Sequence, residues 1–162
     1  MEYELINPLV SEIKGILDTS RQNVAKAVNN ELLVAYWKIG EIIVRYEQND
    51  KVRAAYGDKT LKAISKELTS ELGKGFSVSN LQFMRRFYQQ YQIQQTASVK
   101  FNWSHYCELL SISDENKRSF YEKEAINTDW SVKAACRAIS WLQSTPTTFR
   151  KRSSLLRRLK RL

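Results

Sequence analysis

Residues 61–91 read LKAISKELTSELGKGFSVSNLQFMRRFYQQY, and this stretch decides the fold. Leu61, Ile64, Leu68 and Leu72 recur at i, i+3, i+7 and i+11, one apolar stripe of a 3.6-residue period. Gly73-Lys74-Gly75-Phe76 follows, with two glycines free to take the positive φ of a helix C-cap or sharp turn. Ser77 is placed to cap a second helix, its hydroxyl accepting from the backbone N–H of Ser79 or Asn80. That helix carries Leu81, Met84, Tyr88 and Tyr91 on one side. Helix, glycine-containing turn and capped helix together predict a helix-turn-helix over about residues 59–91.

The second helix has an outward face as well. At about 100° per residue, the side opposite Leu81 and Met84 holds Ser79, Gln82 and Arg86. Phe83 and Gln89 stand at its margins and Arg85 on one flank. Serine, glutamine and arginine can read base edges in a major groove, while Lys74 in the turn can reach a phosphate. The candidate DNA-binding set here is therefore Lys74, Ser77, Ser79, Gln82, Arg85, Arg86 and Gln89. An ordinary solvated helix also shows a polar face with one or two arginines, so spacing alone leaves both readings open.

Outside this stretch the chain reads as helix throughout. Ile6, Leu9, Val10, Ile13, Ile16 and Leu17 share a face of a short helix over 2–17, with Asn7 as N-cap and Pro8 at the first helical position. A long helix is expected over 20–49, its period held by Val24, Ala27, Val28, Leu32, Ala35, Ile39, Ile42, Ile43 and Tyr46. Gly40 inside it costs about 1 kcal/mol relative to alanine, which points to another backbone packing closely there. Asn49-Asp50 and Tyr56-Gly57-Asp58 are breaks, and QIQQTASVKFN after Tyr91 is a polar connector. WSHYCELLSI from Trp103 forms a short helix, Ser113 or Asp114 caps the next, and Ser131 caps the last. Nothing alternates with a period of two. The fold class is all-α, a helical domain over 1–143 with a linker and basic tail over 144–162.

With 162 residues the chain is one domain with a real core, and 43% apolar and 27% charged content is that of a soluble globular protein. No run approaches the roughly 18 apolar residues of a membrane span, and MEYELINPLV lacks the pattern of a signal peptide. A cytoplasmic location is expected. Cys107 and Cys136 lie among helical apolar positions without CxxC spacing, so both are expected as buried free thiols.

The net charge of +9 is unevenly spread. Residues 150–162, RKRSSLLRRLKRL, hold seven basic residues and no acidic one, leaving the body at only +2. Arg150, Lys151 and Arg152 join the candidate DNA-binding set as the start of this tail. Leu155, Leu156, Leu159 and Leu162 share one helical face against Arg157, Arg158, Lys160 and Arg161. Such an end reads equally as a working basic arm or as the product of a truncated or frame-altered gene.

Several segments carry a resemblance. YWKIG (36–40), GKGFS (73–77), NLQFMRRFY (80–88), WSHY (103–106) and FYEKEA (120–125) occur in an order similar to the N-terminal domain of the YhcG-type PD-(D/E)xK nuclease family. The resemblance spans about residues 32–133. It implies an all-helical domain that contains a helix-turn-helix and binds double-stranded DNA, natively the targeting half of a bacterial nuclease. The resemblance places the nuclease chemistry of that family in a separate C-terminal domain, which is not expected in this chain. The chain also has Val78 and Ser79 where family members often carry basic residues.

No catalytic residue, metal ligand or cofactor is expected. Carboxylates converging with a lysine on strands are needed to hold Mg²⁺ and activate water. Glu122-Lys123-Glu124 is the nearest imitation, and it reads as the solvated face of a helix. His105, the single histidine, reads as a packed or hydrogen-bonded structural residue. An alternative to DNA binding is a helical interaction module, with the helix over 20–49 mediating homodimerisation or docking of a partner protein.

Overall fold

A computed structural model describes residues 2–48, 57–91, 101–128 and 131–144. These form six α-helices, and no strand occurs among the described residues. They are α1 (Glu2–Gln48), α2 (Gly57–Leu72), α3 (Val78–Gln90), α4 (Trp103–Leu110), α5 (Glu115–Thr128) and α6 (Val132–Ser144). A single 3₁₀ turn, Lys74–Phe76, joins α2 to α3. The expected all-α architecture is what the chain adopts.

The two N-terminal helices expected from the sequence are one. Asn7 is no cap, and Pro8 lies inside α1. Nothing between residues 18 and 21 stops the helix. Thr19 Oγ1 donates to the Gly15 carbonyl at 2.8 Å and Arg21 pairs with Asp18 at 3.4 Å, both compatible with continued winding.

The larger correction concerns which face of α1 is inside. Leu33, Gly40, Ile43 and Val44 are buried, whereas Val24, Val28, Leu32, Ile42 and Tyr46 of the expected core stripe are exposed. So are the apolar residues of positions 6–17. The reason is Gly40. A Cβ there would run into the carbonyl oxygen of Met84 and stand 2.8 Å from its carbon. With only hydrogen in the way, α3 crosses α1 at close range, and this contact selects the buried side. Close backbone approach at Gly40 was the expectation, and α3 supplies it.

Two apolar clusters result. One gathers Leu33, Phe87, Tyr91, Phe101, Tyr106, Leu109, Leu110, Tyr121, Ala138 and Ile139 between α1, α3, α4, α5 and α6. The other gathers Ile43, Leu61, Leu81 and Met84 between α1, α2 and α3, with Phe76 and Val78 packed against it. Trp103 touches both clusters. Its ring stands 4.7 Å from Tyr36 and 5.4 Å from Phe87 between centroids. Such tilted aromatic pairs add to the simple burial of apolar area.

Helix ends follow the side-chain rules. Asp114 accepts from the Lys117 N–H at 3.0 Å and Ser131 from Ala134 at 3.3 Å. Gly73 closes α2 at φ 94°, its N–H bonded to the Thr69 carbonyl, and is the one glycine of the turn with positive φ. Leu72, placed in the core stripe by its spacing, is exposed. Asn49, Asp50 and Tyr56, residues 92–100 of the connector and the tail beyond 144 lie outside the described residues, whereas Gly57 and Asp58 of the expected break wind into α2 and Phe101 of the expected polar connector is buried in the core.

Candidate functional site

The site is built on α3. Its inner side carries Leu81, Met84 and Phe87, each fully buried, and Tyr91 follows the helix into the same core. Phe87, not Tyr88, is the third core residue; Tyr88 is half-buried edge-on to Trp37. The spacing 81, 84, 87, 91 holds the helical period as well as 81, 84, 88, 91, so Phe87 was within reach of the pattern.

Both ends of the helix are pinned by side chains. Ser77 Oγ accepts from the Asn80 N–H at 3.3 Å, as its position in the sequence suggests. The Asn80 side chain donates to the Gly75 carbonyl and accepts from Trp103 Nε1 at 2.7 Å. It therefore fastens the turn, α3 and α4 together. At the far end, Trp37 Nε1 donates to the Tyr91 carbonyl at 2.7 Å. A helix held on its back and at both ends offers a preorganised outer face.

The candidate residues divide on that face. Lys74, Ser77, Ser79, Arg86 and Gln89 are exposed, and Gln82 is half-buried. Ser77 is already engaged as the cap. Arg85 turns aside: its guanidinium donates to Glu47 of α1 at 2.9 Å, with both side chains largely shielded. Phe83, placed at the margin, packs half-buried against the larger core cluster. Arg86 makes no ion pair among the described residues. Arg150, Lys151 and Arg152 lie outside the described residues.

His105, Glu122 and the buried tyrosines make contacts within the domain. Asn102 caps α4 by accepting from the His105 N–H at 3.2 Å, and His105 Nδ1 reaches back to the Asn102 N–H at 3.3 Å. This reciprocal capping box, with His105 stacked on Phe101, occupies the only histidine. Glu122 is not the solvated residue its sequence suggests. It is half-buried, and the Tyr91 hydroxyl donates to it at 3.4 Å. Burial holds its carboxyl above the ordinary glutamate range, against the opposing pull of the Tyr91 hydrogen bond and Arg118. Burial, with the Glu122 charge, raises both Tyr91 and Tyr106 beyond the usual tyrosine range.

Both cysteines are free, but Cys136 is exposed and Cys107 half-buried, against the expected burial. Burial pushes the Cys107 thiol up to about 11, and the Glu108 carboxylate raises Cys136. Neither is an activated nucleophile. Among the described residues no three of His, Cys, Asp and Glu converge as a metal-holding group, and no helix is long and apolar enough to cross a membrane.

Comparison with known proteins agrees with the resemblance carried by the motifs. The family model described as DUF1016 N-terminal domain matches residues 12–143. The Escherichia coli (strain K12) protein named "Putative nuclease YhcG" is 34% identical over 157 residues. That alignment covers 77% of this chain and 42% of the relative, so the chain spans less than half of the relative's length. No solved structure matches the chain. Several of the motifs quoted from the sequence help lock α1, α3 and α4 together: Gly40 under Met84, Asn80 on Trp103, Trp37 on Tyr91. The chain belongs to the family of the DUF1016 N-terminal domain.

Proposed function

We propose that this chain binds double-stranded DNA through the outward face of α3 and serves as the targeting half of a nuclease, without cleavage chemistry of its own. One observation carries the reading. Ser79, Arg86 and Gln89 stand exposed on a helix whose opposite side is sunk into two cores and whose ends are both tied. Rigid backing with hydrogen-bonding side chains in front is what a groove-reading helix requires. In this reading α2, the 3₁₀ turn and α3 act as the helix-turn-helix. Lys74 meets a phosphate, Gln82 lends its half-buried amide, and residues 1–143 form the binding domain. Arg150, Lys151 and Arg152 begin an electrostatic arm. The name of the relative, a nuclease, supports nucleic acid as the partner.

The test is a gel-shift titration of the intact chain on duplex DNA at two salt concentrations, with a single-stranded competitor. Binding should weaken steeply with salt, by a log–log slope of about 0.9 for each phosphate contact. Deleting residues 150–162 should flatten that slope. Binding that is absent, or insensitive to salt, would overturn the proposal. With Mg²⁺ or Mn²⁺ the duplex should stay intact, and cleavage abolished by Glu122→Gln would refute the non-catalytic assignment.

A second reading, a helical interaction module, is favoured by the apolar residues left exposed along α1. The two readings use different surfaces and are compatible.

A further inference from the structure

Helix α1 has two apolar faces, and the body of the domain covers one of them. Leu33, Gly40 and Val44 face the body. Half a turn around the helix, a second stripe begins at Ile6 and runs through Val10, Ile13, Leu17 and Val24. It continues through Val28 and Leu32 to Ile42 and Tyr46. Every one of these residues is exposed, with Val24 at 64% and Ile42 at 62%. Residues 6–28 are exposed throughout, and none of the described residues buries them. Soluble domains do not leave so long an apolar strip bare without use for it.

We infer that this stripe is the interface of a homodimer, in which α1 of a second copy lies antiparallel along it. The order of the positions is the first argument. With Ser20, Ala35 and Ile39 counted in the same row, positions 6 to 46 step 4, 3, 4, 3, 4, 4, 4, 3, 4, 3, 4, which reads the same in both directions; Ser20 is its one polar rung and Ile39 also packs partly on the body. Its centre is Lys26. An antiparallel two-fold axis there sets Ile6 against Tyr46, Val10 against Ile42 and Val24 against Val28, with the intervening rungs in register. The mean step is close to 3.6, so the stripe runs straight along the helix and suits two uncoiled helices side by side.

The second argument is the groove at one end. Ile39, Ile42 and Tyr46 of α1, with Ile64 and Leu68 of α2, line an apolar groove of about 470 Å³. In the antiparallel pair it receives the first turns of the other copy's α1, around Ile6 and Val10.

Size and charge agree. Forty residues at 1.5 Å rise make a seam about 60 Å long. At a width of roughly 10 Å per helix it buries about 1,200–1,600 Å² in total, within the range of specific interfaces. The arm over 6–28 carries Glu12 and Asp18 against Lys14, Arg21 and Lys26, so it does not repel its own copy. Arg21 and Glu31, like Lys14 and Lys38, share a level of the paired helices and stand on opposite flanks. A helix binding an anionic membrane would instead concentrate Lys and Arg.

The experiment is sedimentation of the intact chain without DNA over a concentration series, with Leu17→Glu and Val24→Glu as variants. Both positions are exposed, so the monomer should fold unchanged, which far-UV circular dichroism and thermal unfolding of residues outside the arm can follow. The parent should sediment at twice 18.9 kDa and the variants at 18.9 kDa. A nitroxide at residue 11, in a Cys107→Ala, Cys136→Ala background, should give an inter-copy distance of about 45 Å, against under 20 Å for a parallel pair. A monomer at all concentrations, a dimer indifferent to both variants, or the short distance would each overturn the inference. So would a monomer that dimerises only after residues 150–162 are removed, since the tail would then be the native cover. Because no DNA is present, a monomer that still binds DNA refutes only the dimer, and a dimer that binds none refutes only the DNA reading.

Discussion

The carbonyl group of Met84 occupies the space that a Cβ on Gly40 would need. This contact sets the crossing of α1 and α3, and through it the direction in which the outer face of α3 points. Gly40→Ala should therefore destabilise the protein by about 3 kcal/mol or more, since backbone, unlike a flexible side chain, cannot step aside. Gly15 supplies the control. It lies in the same helix with nothing within 4 Å of a Cβ. Gly15→Ala should stabilise by about 0.4–1 kcal/mol through helix propensity and the unfolded chain. Denaturant melts of the two variants should shift in opposite directions, and a shared direction would refute the argument.

That contact also explains what could be read from the sequence. Gly40 was legible because glycine inside a strong helical period has few uses besides close approach. The α2–turn–α3 unit was legible because Leu61, Leu81 and Met84 keep period and Ser77 and Gly73 mark the ends. Which side of α1 is buried was not. Both its faces are apolar, so periodicity offers two answers, and only the position of Met84 chooses between them. The engagement of Arg85 was equally hidden. Glu47, its partner, is 38 residues away and on another helix, beyond the reach of any local pattern.

Asn80 sits where a base-reading residue could sit, yet its side chain is spent on Gly75 and Trp103. Asn80→Ala leaves the Trp103 indole N–H without its acceptor in a half-buried place. The expected cost is about 1–3 kcal/mol of stability. Thermal unfolding should show this loss. If the variant instead melts like the parent and loses DNA affinity, Asn80 belongs to the reading face.

Glu122 gives the protein a pH signature. Its folded pKa is raised, so between the ordinary glutamate value of 4.5 and that higher value the folded state holds more protons than the unfolded one. Stability from this group is full at the acid end of the window and declines as pH rises through it. Glu122→Gln keeps an acceptor for Tyr91 and removes the charge. The variant should melt higher than the parent at pH 7, and its advantage should shrink toward pH 4. A constant difference across that range would refute the assignment.

The last prediction separates two neighbouring arginines. Arg85 is held by Glu47 at 2.9 Å with both side chains mostly shielded, whereas Arg86 is exposed and makes no ion pair among the described residues. Arg85→Ala strands a shielded carboxylate, and should cost about 1–2 kcal/mol of stability, between the values for exposed and buried pairs. Its effect on DNA should be small once folding is accounted for. Arg86→Ala should leave the melting temperature unchanged and weaken duplex binding by about 1–3 kcal/mol if it meets a base edge, relaxing preference at one position. A phosphate contact would instead weaken all sequences alike and reduce the salt slope by about one. Paired thermal melts and gel-shift titrations of the two variants decide. Should Arg86→Ala bind as the parent does while Arg85→Ala loses affinity without losing stability, the outward face of α3 is not the reader, and the flank toward α1 takes its place.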